Sequence, residues 1–135
     1  MKRTRLRPMS KKRAARLAEV REMRAGLVRE AGKCEVCGHD PARVKPGGVA
    51  WALCVHEVAQ GSARDWALDQ RCAVLVVCWR CHMERIHGGR ESWPRARQLA
   101  ALRKARPDDF DLAAFNALVG YGPDRVTLED VDKWA

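Results

Sequence analysis

The sequence has 135 residues, 47% of them hydrophobic, and a formal net charge of +9. This length fits one small domain with extensions and only a modest apolar core, which a bound metal ion would help to stabilise. No apolar segment follows the basic amino terminus, and the longest apolar run, residues 72–79, is too short to span a bilayer. We therefore expect a soluble, cytoplasmic protein with no membrane partner, in which the six cysteines are reduced.

The first predicted element is a basic helix. Ser10 is a suitable N-cap and Gly32 a suitable stop, which predicts a helix that runs to about Ala31. Residues 1–24 contain ten Lys or Arg and two Glu, so nearly all of the net charge lies at this end. Such a segment attracts nucleic acid, because each phosphate that it neutralises releases condensed counterions; a solubilising tail is the alternative. The candidate DNA contacts in this helix are Lys11, Lys12, Arg13 and Arg16.

Two strands and a short helix are predicted next. Ala50–Ala59 has the β-branched and aromatic content of a strand, and a turn follows it. Ala73–Cys78 is apolar without interruption, which predicts a second, buried strand. Trp79–Ile86 then predicts a short helix that Gly88 and Gly89 end.

Three helices are predicted in the carboxyl-terminal part. Ser92 is the candidate N-cap of the first, which has Pro94 in its first turn. The second begins near Asp108–Asp109, and the spacing of its apolar residues is helical. Thr127 and Asp130 form a candidate capping box for a short last helix. These helices are expected to pack against the core.

Four of the cysteines have the spacing of a zinc site. They form two CxxC pairs: Cys34 with Cys37, and Cys78 with Cys81. A CxxC turn presents two sulfur atoms to one ion, and two such turns complete the tetrahedron that structural Zn²⁺ requires. Four ordinary buried cysteines, or a redox CxxC, are the alternatives, but a thioredoxin-like context is missing. Cys54 and Cys72 have no such partners and are interpreted as core or loop thiols.

Three of the four histidines fall in an informative order. His56 lies in the first predicted strand, and His82 and His87 lie in the helix after the second. The order of CxxC, a strand with VHE, a strand leading into CxxCH, and a further histidine resembles the HNH endonucleases of the ββα-metal class, over the range Cys34–Gly89. This resemblance implies an α+β fold with a zinc-bound ββα core, consisting of a β-hairpin plus a helix, between the basic helix and the carboxyl-terminal helices.

The resemblance also implies an activity, the metal-dependent hydrolysis of phosphodiester bonds in DNA. A single site of this kind nicks one strand per event. By position, His56 would be the general base, and His82 and His87 would hold or surround a catalytic Mg²⁺ or other divalent cation. Arg85 is a further candidate DNA contact. Proteins of this compact kind are found in phage genomes, restriction systems and mobile elements, which implies a bacterial or phage-infected host cytoplasm.

Three positions depart from the family pattern. Val55 stands where the family commonly has a metal-binding Asp, and Glu57 is a candidate substitute on the same side of the strand. Ala73 stands where the family has Asn. His82 and His87 are five residues apart rather than four, roughly 140° apart on an ideal α-helix, so their convergence requires the helix to end or loosen at His87.

These departures leave a second hypothesis open, a zinc-stapled DNA-binding module with weakened chemistry. A structural or protein-interaction zinc domain is a third. The predicted organisation is the same for all three: a basic arm and helix at 1–32, the HNH-like zinc domain at 33–90, and a helical extension at 91–135. The sequence is compatible with a monomer or a homodimer.

Overall fold

A computed structural model describes residues 7–88, 92–120 and 125–135. Helix α1 spans Lys11–Ala31, and the Ser10 side chain caps it by accepting a hydrogen bond from the backbone N–H of Arg13 at 3.2 Å. The helix ends at Gly32, whose N–H donates to the carbonyl oxygen of Val28 and whose positive φ of 65° turns the following chain out of the helix. Both predicted ends of this helix are therefore confirmed, whereas the first six residues of the arm lie outside the described residues.

The sheet is an antiparallel pair of strands, β1 at Leu53–Glu57 and β2 at Val74–Cys78. Between them lie a 3₁₀ turn at Gly61–Ala63, helix α2 at Arg64–Ala67 and a second 3₁₀ turn at Arg71–Ala73. The predicted first strand was longer than β1, whereas the second was placed to within one residue. With its helices and one two-stranded sheet, the described chain has an α+β fold.

The hairpin is covered on both faces. Val74 and Val76 pack with Leu27 of α1 on one face. Leu75 and Val77 point to the other face, where the carboxyl-terminal helices supply Leu99, Leu102 and Phe115. Both faces are buried, so β2 is apolar at every position, as its sequence suggested.

The chain after β2 forms helix α3 at Trp79–Cys81 and then a π-helical turn at His82–Ile86. The short helix predicted over Trp79–Ile86 is confirmed, and its second part is π-helical. In the π turn, the N–H of His87 donates to the carbonyl oxygen of His82 at 3.1 Å, five residues back. Gly88 follows the turn, while Gly89 lies outside the described residues.

The carboxyl-terminal helices are α4 at Arg95–Ala105, α5 at Leu112–Val119 and α6 at Leu128–Asp132. The predicted Ser92 cap was wrong, because Pro94 is extended and α4 begins directly after it without a side-chain cap.

The start of α5 was also predicted too early. Residues 107–109 form a separate 3₁₀ turn, and α5 is capped by Asp111, whose side chain accepts from the N–H of Ala114. The capping box of Thr127 and Asp130 on α6 is confirmed. No helix among the described residues has the length and apolar character needed to cross a membrane.

Side chains from other segments occupy both outer edges of the hairpin. On the β2 edge, the carboxylate of Glu35 accepts from the N–H of Val76 at 2.7 Å, and the Glu35 N–H donates to the Val76 carbonyl at 2.9 Å. Arg106 donates to the carbonyl oxygen of Val74 at 2.5 Å and forms a buried ion pair with Glu35 at 2.8 Å. On the β1 edge, Arg24 donates to the middle carbonyl of the strand at 2.6 Å. These contacts tie α1, the first CxxC turn and α4 to the sheet.

Candidate metal centres

The four CxxC cysteines form one cluster. Their sulfur atoms all lie within 4.8 Å of one another, although one pair precedes both strands and the other begins at the last residue of β2. The turn after α1 supplies Cys34 and Cys37, and the junction of β2 with α3 supplies Cys78 and Cys81. In each pair, the N–H of the second cysteine lies 3.5 Å from the first sulfur, an arrangement that folds each CxxC segment into a tight turn.

The spacing of these sulfur atoms fits a tetrahedral ion. Sulfur ligands at about 2.3 Å from Zn²⁺ lie about 3.8 Å apart, and the sulfur atoms of Cys37 and Cys78 are separated by 3.8 Å. Burial raises the pKa of Cys78, and burial together with the neighbouring Cys37 raises the pKa of Cys81. These thiols are protonated in the metal-free protein, so binding of a cation would release protons. The cluster could hold a metal ion of the zinc type.

The remaining cysteines stand apart from this cluster, as predicted. Cys54 and Cys72 are both half-buried, and burial raises the pKa of each. The thiol of Cys54 donates to the carbonyl oxygen of Val77 at 3.4 Å. His39, in the first CxxC turn, accepts from the N–H of Trp51 at 3.0 Å and therefore orders the loop.

The other three histidines form a second cluster. His56 comes from β1, and His82 and His87 come from the π turn and its end. One ring nitrogen of each lies within 4.8 Å of one from the other two, and the ring centroids are 4.6 to 5.2 Å apart. His56 is buried, His82 is half-buried and His87 is exposed, so the cluster runs from the interior to the surface.

The two histidines of the π turn are spaced like ligands of one ion. Their Nε2 atoms are 3.1 Å apart, within hydrogen-bond distance, and two imidazole nitrogens on one octahedral or tetrahedral cation lie about 2.8 to 3.4 Å apart. The Nδ1 atom of His82 is buried and has no hydrogen-bond partner among the described residues. Burial, with a contribution from His87, lowers the pKa of His82, which keeps this imidazole neutral and able to donate a lone pair.

His56 is held by a residue outside the predicted motif. Its Nε2 atom lies 2.8 Å from Oε1 of Gln98, a buried side chain of α4. Burial lowers the pKa of His56 to about 4, so the ring is uncharged at neutral pH and can accept a proton. The sequence analysis did not predict Gln98. Its signal in the sequence is weak, a polar residue directly before the apolar Leu99 and Ala100 of a helix.

Glu57 lies outside the histidine cluster. It shares a side of β1 with Val55, as predicted, but this side faces α1, whereas His56 faces α4. The Glu57 carboxylate forms ion pairs with Arg24 at 2.8 Å and Arg64 at 3.6 Å. Its negative charge is therefore balanced by arginines.

The predicted DNA contacts are exposed: Lys11, Lys12, Arg13, Arg16 and Arg85. Among them, Arg16 donates to the carbonyl oxygen of Asp65 at 2.8 Å and forms an ion pair with Asp69 at 3.5 Å, so its charge is partly neutralised. The first turn of α1 thus presents three consecutive exposed cations. Arg90, another basic residue near the motif, lies outside the described residues.

An open cavity of about 570 Å³ adjoins the histidine cluster. Its wall includes His56, His87, Trp93 and Gln98. The exposed and buried members of the cluster therefore share one solvent-accessible space. Comparisons of the chain with protein-family models, with curated proteins and with solved structures find no match.

Proposed function

We propose that the protein is a metal-dependent HNH-type endonuclease that hydrolyses phosphodiester bonds in DNA. The observation that carries this proposal is the grouping of His56, His82 and His87 beside an open cavity, separate from the four-cysteine cluster. A structural zinc domain needs only the cysteines. Three converging imidazoles, one of them buried and neutral, supply the groups that phosphodiester hydrolysis requires.

In this proposal the four-cysteine cluster holds structural Zn²⁺. The ion would join the turn after α1 to the start of α3 and so complete a zinc-bound ββα core. Support comes from the sulfur spacing and from the small apolar core of the chain. This centre would stabilise the site without taking part in the chemistry.

The pair His82 and His87 would hold the catalytic divalent cation. When bound, the cation would stabilise negative charge on the scissile phosphate and on the leaving oxygen. Two imidazole nitrogens suit Zn²⁺ or Ni²⁺ better than Mg²⁺, which prefers oxygen ligands. We therefore expect transition-metal ions to support activity at lower concentrations than Mg²⁺.

His56 would act as the general base. Its buried, uncharged ring opens onto the same cavity as His87, and a neutral imidazole can take a proton from the attacking water. The exposed cations at Lys11, Lys12 and Arg13, together with Arg85, would bind phosphates on either side of the cut. Contacts of this kind are sensitive to salt and carry no sequence information.

A zinc-stapled DNA-binding module is the second candidate. It is favoured by Val55 in place of the metal-binding Asp, by Ala73 in place of Asn, and by the pairing of Glu57 with Arg24. Among the residues that the structure describes, these features leave the histidine cluster without a carboxylate ligand. The module would bind DNA through the basic helix and would not cut it.

Conversion of supercoiled plasmid to nicked and linear forms tests the two candidates. Wild type is compared with His56→Ala at matched zinc content, in Mg²⁺, Mn²⁺, Ni²⁺, Zn²⁺ or EDTA. His39→Gln serves as a matched control, because it changes a histidine outside the cluster and keeps an acceptor for the Trp51 N–H. The endonuclease predicts metal-dependent nicking by wild type and by His39→Gln but not by His56→Ala. If no protein cuts with any metal while all retard DNA, the binding module replaces this proposal.

A further inference from the structure

Gln98 connects α4 to the histidine cluster through both ends of its side-chain amide. Its Oε1 atom lies 2.8 Å from Nε2 of His56, and its Nε2 atom donates to the carbonyl oxygen of Trp93 at 2.9 Å. Gln98 lines the cavity but is only 7% exposed, so water has little access to these contacts.

The Trp93 contact fixes which way the amide points. A backbone carbonyl can only accept hydrogen bonds, so the NH₂ group of Gln98 must face Trp93 and the amide oxygen must face His56. That oxygen is also only an acceptor. The Nε2 atom of His56 must therefore carry the proton, and the lone pair of the neutral ring is left on Nδ1.

The position of Trp93 is itself set by the π turn. Its N–H donates to the carbonyl oxygen of Arg85 at 3.1 Å, within the turn that carries the other two histidines. The chain of contacts runs from the π turn through Trp93 and Gln98 to His56 on β1. It therefore couples the orientation of His56 to the element that supplies His82 and His87.

We infer that Gln98 is a positioning residue that holds His56 in the Nε2–H tautomer and so makes Nδ1 the atom that accepts the proton from water. The catalytic part of this inference rests on the proposed endonuclease function. In the reaction, Nδ1 gains the proton, the water oxygen forms a bond to phosphorus, and the bond from phosphorus to the leaving oxygen breaks. The leaving oxygen takes a proton from solvent, and His56 returns its own proton to solvent.

The tautomer can be read directly from the nitrogen spectrum of the intact protein. Long-range ¹H–¹⁵N correlation spectra of zinc-loaded protein distinguish the two neutral forms of each histidine, and the loss of one pattern in His56→Gln assigns His56. We expect wild type to show the Nε2–H form. Gln98→Leu removes the acceptor, and we expect this variant to show a mixture of both forms. Gln70→Leu is the matched control, since Gln70 is exposed, does not line the cavity, and donates to the carboxylate of Asp69 at 3.3 Å.

Plasmid cleavage by the same proteins tests the catalytic part. We expect Gln98→Leu to lower kcat about 10- to 100-fold with little change in KM, and Gln70→Leu to have no such effect. An Nδ1–H form in wild type, or an unchanged tautomer in Gln98→Leu, overturns the inference. A shifted tautomer with unchanged kcat overturns its catalytic part. If wild type does not cut at all, the proposed function fails, while the spectra still decide whether Gln98 fixes the tautomer.

Discussion

His82 and His87 are five residues apart in the chain, yet their Nε2 atoms are separated by only 3.1 Å. On an ideal α-helix the two side chains would point roughly 140° apart. The π turn removes this mismatch, because its hydrogen bond from His87 to His82 closes a wider loop and brings the fifth residue back to the same side. The backbone conformation of the turn therefore creates the histidine pair.

Gly88→Ala should disrupt this pair. A Cβ atom at Gly88 would lie 1.8 Å from the carbonyl oxygen of Glu84, so the turn would have to open. We expect the free energy of unfolding to fall by roughly 1 to 3 kcal/mol and Ni²⁺ binding at the histidines to weaken. Urea denaturation and calorimetric titration of zinc-loaded protein would measure both.

Gly26→Ala is the matched control for this substitution. Its added Cβ would lie 3.7 Å from the nearest atom, a side-chain nitrogen of Arg29, and alanine in a helix interior is favoured over glycine by about 1 kcal/mol. This variant should be as stable as wild type or more so, with normal Ni²⁺ binding. If the two glycine variants have the same unfolding free energy and the same Ni²⁺ affinity, the steric role of Gly88 is contradicted.

Removal of one cluster cysteine should remove zinc. We expect purified wild type to contain one zinc ion per chain, and Cys81→Ser to lose it together with several kcal/mol of unfolding free energy, because binding energy at such a site is folding energy. Elemental analysis and thermal denaturation would show both effects. Cys72 lies outside the cluster, so the Cys72→Ser variant should retain zinc and lose about 1 kcal/mol of unfolding free energy. Loss of zinc in both variants would argue against the assignment of the cluster.

The stability of the protein should depend on pH through His56. Its pKa falls from 6.5 to about 4 on folding because the ring is buried, so the unfolded chain binds more protons between these values. This contribution is fully present above pH 6.5 and is lost as the pH falls towards about 4, amounting to roughly 3 kcal/mol. The difference in unfolding free energy between wild type and His56→Gln should shrink over this window. Zinc release affects both proteins and cancels in the difference. If the difference in unfolding free energy stays constant over this pH range, burial does not lower the pKa of His56.

Neutralising the first turn of α1 should weaken DNA binding without changing its sequence dependence. We expect Lys12→Gln to reduce the slope of log affinity against log salt concentration by about 1, the value for one lost phosphate contact. Fluorescence anisotropy with labelled duplexes over a salt series would measure the slope. Lys133→Gln removes the same charge from the chain beyond α6 and should leave the slope unaltered; an equal effect of both would indicate that net charge alone governs binding.

The elements predicted most accurately have short-range signals. Ser10 and Gly32 define α1, and Thr127 defines α6, because cap hydrogen bonds form within one turn of the helix. The four cysteines and three histidines could also be selected from spacing and order. The distances that bring them together are set by the folded chain and cannot be obtained from the sequence.

The features that were missed depend on contacts distant in sequence or on unusual backbone geometry. The π turn has no hydrophobic periodicity that would reveal it in the sequence. Gly88 permits the turn through its close approach to the backbone of Glu84, which is visible only in the folded chain. Gln98 resembles any polar residue of a helix until its partner on β1 is known. The helix α5 was predicted to begin near Asp108–Asp109, whereas Phe110 is extended and Asp111 caps the helix.

The occupied edges of the hairpin have a consequence for the addition of further strands to the sheet. A two-stranded sheet has two open margins, and free N–H and C=O groups along them can recruit strands from other molecules. On the β2 margin, Glu35 accepts from the N–H of Val76 and Arg106 donates to the carbonyl oxygen of Val74. On the β1 margin, Arg24 donates to the carbonyl oxygen of Val55. All three are charged side chains, so an incoming strand would have to displace an ion pair as well as a hydrogen bond. The geometry therefore opposes the addition of a further strand at these positions on either side of the sheet.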